Sequence, residues 1–235
     1  MFLRKRKMVF LSITLFLVTA VAGITQEQLR ERGEVIKNVP TTHKVVALTI
    51  DDGPHSKTTP AVLAALKEKD VKVTLFLLAS NVEQHPELVQ QAVQAGHEIG
   101  THTYSHTLLT RLSKQAVADE LTKAEEIISK LAPKPILFRP PGGAFNQAVL
   151  AAAHERGYTT VTWSVDPEDW KCPPVSNVVQ HVVSHVTPGS IVLLHDGQYP
   201  LPTPEALKQI IDQLRAQGYT FVTVSELLQY YEVRD

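Results

Sequence analysis

From position 44 onward, short runs rich in β-branched residues alternate with longer segments that carry helix punctuation. The runs 45–50, 71–78, 97–101, 136–139, 159–165, 190–194 and 219–223 read as strands. Between them, Thr59-Pro60 and Pro86 each open a helix. Asn146 opens another that stops at Gly157, and Thr203-Pro204-Glu205 opens one that Gly218 closes. Proline at the first helical position and glycine just past the end are the signals a helix of this kind shows. Strands alternating with helices imply a parallel sheet with right-handed crossovers. No G-x-G-x-x-G follows the first strand, so a dinucleotide-binding open sheet loses its main support. The expectation is an α/β chain forming a single distorted (β/α) barrel of about seven parallel strands, with its active site at the C-terminal rim.

The N-terminus breaks this pattern. Arg4, Lys5, Arg6 and Lys7 precede the apolar run 8–22, which ends in the small-x-small sequence Ala20-Val21-Ala22. Residues 1–22 therefore read as a secretory signal peptide or, if uncleaved, as an N-terminal membrane anchor. Either reading leaves the basic end inside and makes the rest secreted or extracytoplasmic. The charged and polar stretch 23–43 reads as a spacer, leaving 44–235 as one domain. With 43% hydrophobic and 20% charged side chains in 235 residues, the composition is that of an ordinary globular protein. A net charge of −1 gives no reason to expect a nucleic-acid partner. A monomer is expected, touching membrane only through its N-terminal segment. The single cysteine, Cys172, cannot form an internal disulfide, so the exported domain depends on its core, and the thiol reads as passive.

The reactive residues share one register: each cluster follows or ends a strand. Asp51-Asp52 follow the first, His102 and His106 the third, Arg139 ends the fourth, Asp166 to Trp170 follow the fifth, and His195 ends the sixth. In a β/α barrel such positions converge on one rim. In Thr49-Ile50-Asp51-Asp52-Gly53-Pro54, adjacent side chains on an extended segment point opposite ways, so one aspartate can face a metal while its neighbour faces a reacting water. The plain alternative is a polar turn, since D-G-P is good turn chemistry by itself. His102 and His106, four apart, reach one face of a helical turn and a single divalent ion. His181 and His185 have the same spacing but lie beside a valine stripe in mid-helix, far from the rim, and read as solvated surface. Arg139-Pro140-Pro141-Gly142-Gly143 is a stiff loop whose glycines let backbone N–H groups approach a bound oxygen. Asp166-Pro167-Glu168-Asp169-Trp170 adds carboxylates and an aromatic plate, and Leu193-Leu194-His195 adds an imidazole at a strand end.

With these motifs in hand, the chain resembles the polysaccharide deacetylase (NodB-homology) family of carbohydrate esterases. The resemblance runs from about Val45 to Leu228 and rests on five ordered motifs: T-x-D-D-G-P, H-x-x-x-H, R-P-P-x-G, D-x-x-D-W and L-x-H. It implies that Asp52, His102 and His106 bind a divalent metal, zinc in most relatives with cobalt or another divalent ion serving in some. It further implies that Asp51 is the catalytic base, oriented by Arg139, and that His195 is the general acid, with Asp169 setting its tautomer or charge. Pro141, Gly142 and Gly143 would form the oxyanion loop, and Trp170 and Leu193 would line the acyl pocket. Ile50 departs from the usual Phe, and Gly142 stands where relatives often have an aromatic residue, which opens the substrate groove. The activity implied is metal-dependent removal of N-acetyl groups from an amino-sugar polymer, peptidoglycan or chitin-like. An O-acetyl polysaccharide esterase and a non-catalytic glycan-binding wall protein are the alternatives on this fold. A metalloprotease is disfavoured because no H-E-x-x-H is present.

Overall fold

The computed structural model describes residues 34–232; the basic cluster and apolar run of 1–22 and the first part of the spacer lie outside the described residues. Seven strands follow one another: β1 Val45–Asp51, β2 Thr74–Leu77, β3 Glu98–Thr101, β4 Leu137–Phe138, β5 Thr159–Thr160, β6 Ser190–His195 and β7 Thr220–Phe221. The helices are α1 Thr58–Glu68, α2 Ala79–Gln84, α3 Pro86–Gln94, α4 Lys114–Ile128, α5 Gln147–Glu155, α6 Val175–His185, α7 Thr203–Ala216 and α8 Val224–Leu228. Polar caps start three of them. Ser113 and Asn146 accept from the third N–H of α4 and α5, and Thr223 with Glu226 forms a capping box on α8. Each such cap is worth about 1 kcal/mol.

All named strand pairs are parallel, in the order β5-β4-β3-β2-β1-β6, with β7 on the opening residues of β1. The sheet curls into a distorted barrel that is split between β5 and β6. The run expected as a strand over 159–165 keeps only its first two residues in the ladder, and Val165 then rejoins β6 opposite Val192. The chain before β1 fills this split: Ile36 bridges Val161, and Asn38 bridges Ser190. Ile36 and Val39 are 4% and 0% exposed, so the latter part of the stretch read as a polar spacer belongs to the fold. Val35, Ile36 and Val39 among polar residues carry no periodicity, which is why the sequence alone does not assign Ile36 and Val39 to the core.

Alternation along β1 sorts the core into two faces. Val46, Leu48 and Ile50 point outward into the layer under α1 and α7, each contributing about 1.5–3 kcal/mol of burial. Val45 and Ala47 point into the barrel with Phe76, Leu137, Val161 and Ile191. Thr49 and Asp51 continue that inward row, which brings Asp51 to the top of the barrel interior. Ile50 is a fully buried outward residue.

Candidate active site

Register places the first two functional groups. β1 and β6 run side by side with Asp51 opposite His195. Past that pair the two chains nearly touch: a Cβ on Gly197 would lie 2.3 Å from Asp52 Cβ, and one on Gly53 would lie 2.3 Å from Asp196 Oδ1. Only glycine permits this approach. It lets Asp52 adopt a left-handed backbone (φ 74) and turn its side chain away from the barrel, so the adjacent aspartates face different surroundings.

Asp51 is 2% exposed and is held from below by Arg139, itself fully buried in the barrel interior. Arg139 Nη1 donates to Asp51 Oδ1 at 2.6 Å and to Thr49 Oγ1 at 2.8 Å, while Nη2 donates to the Thr162 carbonyl at 2.9 Å. The guanidinium lies 4.1 Å from the centre of the Phe76 ring and 5.6 Å from that of Trp163. Burial raises the Asp51 pKa, and the charge of Arg139 opposes that rise. With Oδ1 committed to Arg139, Oδ2 lies 3.8 Å from His102 Nε2, beside the next cluster.

That cluster is Asp52, His102 and His106. Asp52 Oδ1 is 3.5 Å from both His102 Nε2 and His106 Nε2, and it is a buried oxygen with no hydrogen-bond partner. The three donor atoms lie within 4.8 Å of one another. Tetrahedral coordination with bonds of about 2.0–2.2 Å separates ligands by about 3.4 Å, so this donor set fits a divalent ion such as zinc. His102 is prepared for the task. Its Nδ1 lies 2.7 Å from the Arg139 carbonyl, which can only accept, so Nδ1 carries the proton and Nε2 presents a lone pair. Burial pushes its pKa down to about 3, keeping the ring neutral. The two imidazoles do not sit on a helical turn, as their spacing suggests. They flank an irregular loop in which Thr103 and His106 have φ of 74° and 62°, with ring centres 5.0 Å apart. The other pair with this spacing, His181 and His185, does stack on helix α6, away from this site.

Opposite the cluster, Asp169 supports His195. His195 Nδ1 donates to Asp169 Oδ1 at 2.7 Å, and the His195 backbone N–H donates to Oδ2 at 2.9 Å. Thr203, at the start of α7, donates its hydroxyl to Oδ2 at 2.5 Å. Burial works against charge on His195, but the hydrogen bond and charge of Asp169, with Asp51 and Asp52 beyond, outweigh it and push the pKa up to about 9. The imidazole is therefore cationic at neutral pH, with Nδ1 fixed on the carboxylate.

The 141–143 loop has one free donor. Pro141 has no N–H and the Gly143 N–H is spent on the Pro140 carbonyl at 2.9 Å, which leaves the Gly142 N–H. At Gly142 the backbone is left-handed (φ 61), and a Cβ there would meet only Leu108, at 3.6 Å. Trp170 is 47% exposed on the 3-10 turn Asp169–Lys171, whereas Leu193 is 3% exposed within β6. Three partners escaped the sequence: Thr49, Thr203 and Asp196. Asp196 is buried, bonds Thr59 at 2.5 Å, and burial raises its pKa to about 7. Its position next to His195 was the one available signal.

A parallel β/α barrel carrying a carboxylate–imidazole cluster and a carboxylate-backed imidazolium on its C-terminal rim defines a barrel hydrolase. Residues 38–161 match the family model described as polysaccharide deacetylase. A peptidoglycan-N-acetylglucosamine deacetylase of Bacillus cereus is 42% identical over 210 residues, spanning 88% of this chain and 99% of its own length. A chitooligosaccharide deacetylase of a Bradyrhizobium species is 37% identical over 196 residues, spanning 77% of this chain and 90% of its own. The crystal structure of a peptidoglycan N-acetylglucosamine deacetylase, bound to a naphthalenyl N-hydroxybenzamide, superposes with a TM-score of 0.81 at 36% identity, covering 85% of this chain and 95% of that one. The chain belongs to the polysaccharide deacetylase family, and it is a deacetylase of the NodB-homology type.

Proposed function

We propose that this enzyme is a metal-dependent hydrolase that removes N-acetyl groups from the N-acetylglucosamine of peptidoglycan, releasing acetate and leaving a free amine. The observation that carries the reading is the orphan Asp52 Oδ1 between two imidazole nitrogens, beside an Asp51 pinned by Arg139. The peptidoglycan assignment is supported by the Bacillus cereus relative, whose length this chain nearly matches. An extracytoplasmic location fits both that substrate and the basic-then-apolar N-terminus.

Asp52, His102 and His106 would hold the divalent ion, which when bound supplies Lewis acidity toward an amide carbonyl and toward water. Asp51 accepts a proton as water adds to the carbonyl carbon, and Arg139 keeps its Oδ1 turned inward so that Oδ2 does the accepting. The Gly142 N–H donates to the oxygen that gains charge as the carbon becomes tetrahedral. His195 then gives a proton to the nitrogen as the C–N bond breaks, since an amine anion is too basic to leave unprotonated. Asp169 and Thr203 hold the imidazolium in place during that transfer. Trp170 offers an exposed ring face for a sugar, and the missing side chain at Gly142 leaves open space over the loop that carries the N–H donor.

The test is incubation with purified muropeptides, N-acetylchitooligosaccharides and acetylxylan, followed by mass spectrometry for loss of acetyl groups. Acetyl loss from the amino sugars, abolished by a chelator and restored by zinc or cobalt, is the expected result. Full activity in protein shown by elemental analysis to be free of metal would overturn the metal assignment, and release from acetylxylan alone would make the enzyme an O-esterase.

A further inference from the structure

The two candidate imidazole ligands are not fixed equally well. His102 is 2% exposed, donates Nδ1–H to the Arg139 carbonyl at 2.7 Å, and donates its backbone N–H to Leu77 at 2.9 Å. The His106 side chain is 43% exposed, and its ring makes no hydrogen bond. Its position depends on the loop 102–106, which has no regular structure and contains two left-handed non-glycine residues, Thr103 and His106. Within the loop, the His106 N–H donates to Thr103 Oγ1 at 3.3 Å, and the rest of its support comes from outside.

Two elements grip it from opposite sides. From one, the first N–H groups of α2, those of Ala79 and Ser80, donate to the Thr103 and Tyr104 carbonyls at 3.0 and 3.1 Å. From the other, Glu120 of α4 receives three donors on one carboxylate. Oε2 accepts the Tyr104 and Ser105 N–H groups at 3.1 and 3.0 Å, and Oε1 accepts the Ser105 hydroxyl at 2.7 Å. The flank is tightened by Tyr104, whose hydroxyl bonds Glu83 at 3.1 Å and whose ring centre lies 3.4 Å from the Lys123 ammonium. Charge-assisted bonds to backbone N–H groups are the stronger kind, and here they reach the two residues immediately before His106.

We propose that Glu120 is a positioning residue for the metal centre: it sets the geometry of the His106 arm and thereby the affinity of the Asp52–His102–His106 site. The proposal rests on the metal-dependent reading above. Truncating Glu120 releases two backbone N–H groups and lets the loop relax at its exposed end, where His106 sits, while His102 keeps its own supports. Partners beyond the ligands typically change metal affinity 10–100-fold. The Glu120→Gln side chain keeps one acceptor oxygen and its effect should be smaller.

The experiment measures zinc affinity by competition with a chromogenic chelator for wild type, Glu120→Gln, Glu120→Ala, His106→Ala and the double variant Glu120→Ala/His106→Ala. Thermal unfolding of each metal-free protein is recorded alongside. The expected result is Kd raised about 10–100-fold in Glu120→Ala and less in Glu120→Gln, with metal-free unfolding little changed. In the His106→Ala background, Glu120→Ala should change Kd no further, because the arm it positions is gone. Unchanged Kd in both single variants, or the same penalty with and without His106, would overturn the proposal; Glu120→Gln decides alone if Glu120→Ala does not fold. Wild type without stoichiometric zinc would overturn the metal-dependent reading itself, an outcome distinct from either.

Discussion

Asp169→Asn isolates the contribution of one carboxylate to one imidazole. Asp169 accepts from the His195 backbone N–H, from His195 Nδ1 and from the Thr203 hydroxyl. The backbone donor cannot reverse and the hydroxyl can, so the asparagine keeps its oxygen on the backbone N–H and turns its NH₂ toward Nδ1. The ring must then accept at Nδ1 and carry its proton on Nε2 as a neutral tautomer. Without Asp169, burial is opposed only by the Asp51 and Asp52 charges, so the His195 pKa falls from about 9 toward the ordinary 6.5. On a side chain only 13% exposed, that gap corresponds to about 3 kcal/mol. If His195 acts as the acid, activity falls as pH rises through its pKa, so the alkaline limb of kcat/KM moves to lower pH in the variant. At pH 8 the protonated fraction alone lowers the rate by up to about thirtyfold. A bound divalent ion lowers the pKa in both proteins, so the comparison between their profiles stands. Stability follows the same linkage. The His195 pKa is higher folded than unfolded, so its contribution is full below about 6.5 and is lost as pH rises through about 9. Wild-type stability should therefore fall over that window, and the variant should lack this fall. Alkaline limbs that coincide in the two proteins, with equal stability slopes, would refute the coupling.

The adjacent aspartates should separate cleanly. Asp51→Asn should retain the ion and lose most of the turnover, whereas Asp52→Ala should lose both, scored by metal stoichiometry beside kinetics; the opposite pattern would exchange the roles. Arg139→Ala leaves Asp51 buried without its cation, and an unfolding titration should show a loss of roughly 3–5 kcal/mol. Wild-type stability in that variant would mean that the pair is not coupled. Cys172 donates weakly to the Pro200 carbonyl at 3.3 Å, a contact a hydroxyl can replace, so Cys172→Ser should leave the rate within about twofold. A large drop would give the thiol a part in the groove beside Trp170.

What the sequence made legible was whatever a strand end announces locally. Asp51, Asp52, His102, Arg139 and His195 each stand where a strand-like run stops, and parallel strands carry such ends to one rim by geometry alone. What it hid were partners that only the closed fold brings together. Thr203 reads as the opening of a helix, and its bond to Asp169 spans 34 positions; Thr49 reads as a strand residue, and its bond to Arg139 spans 90. Glu120 looks like one more solvated helix carboxylate until the 102–106 loop is laid against it. The loop itself misled for the same reason. A four-residue spacing fits a helical turn, but the actual backbone is set by the Thr101 and Thr103 hydroxyls together with distant groups that satisfy its other N–H and carbonyl atoms.

The different settings of Asp51 and Asp52 follow from a single feature of the sheet. On β1, inward residues end at Asp51, where the Arg139 guanidinium occupies the barrel axis and fixes one carboxylate oxygen. An L-residue continuing the strand would then send the next side chain out beneath α1 and α7, as Ile50 goes. The left-handed turn at Asp52 prevents this and lays its carboxylate over the rim instead, toward the imidazoles. That turn needs the β6 chain to pass within contact distance, which requires glycine at 197, and β6 at that point carries His195. The close approach of two parallel strands thus positions the candidate metal carboxylate, the candidate base and the candidate acid together. A side chain at Gly197 would disturb all three at once rather than one of them.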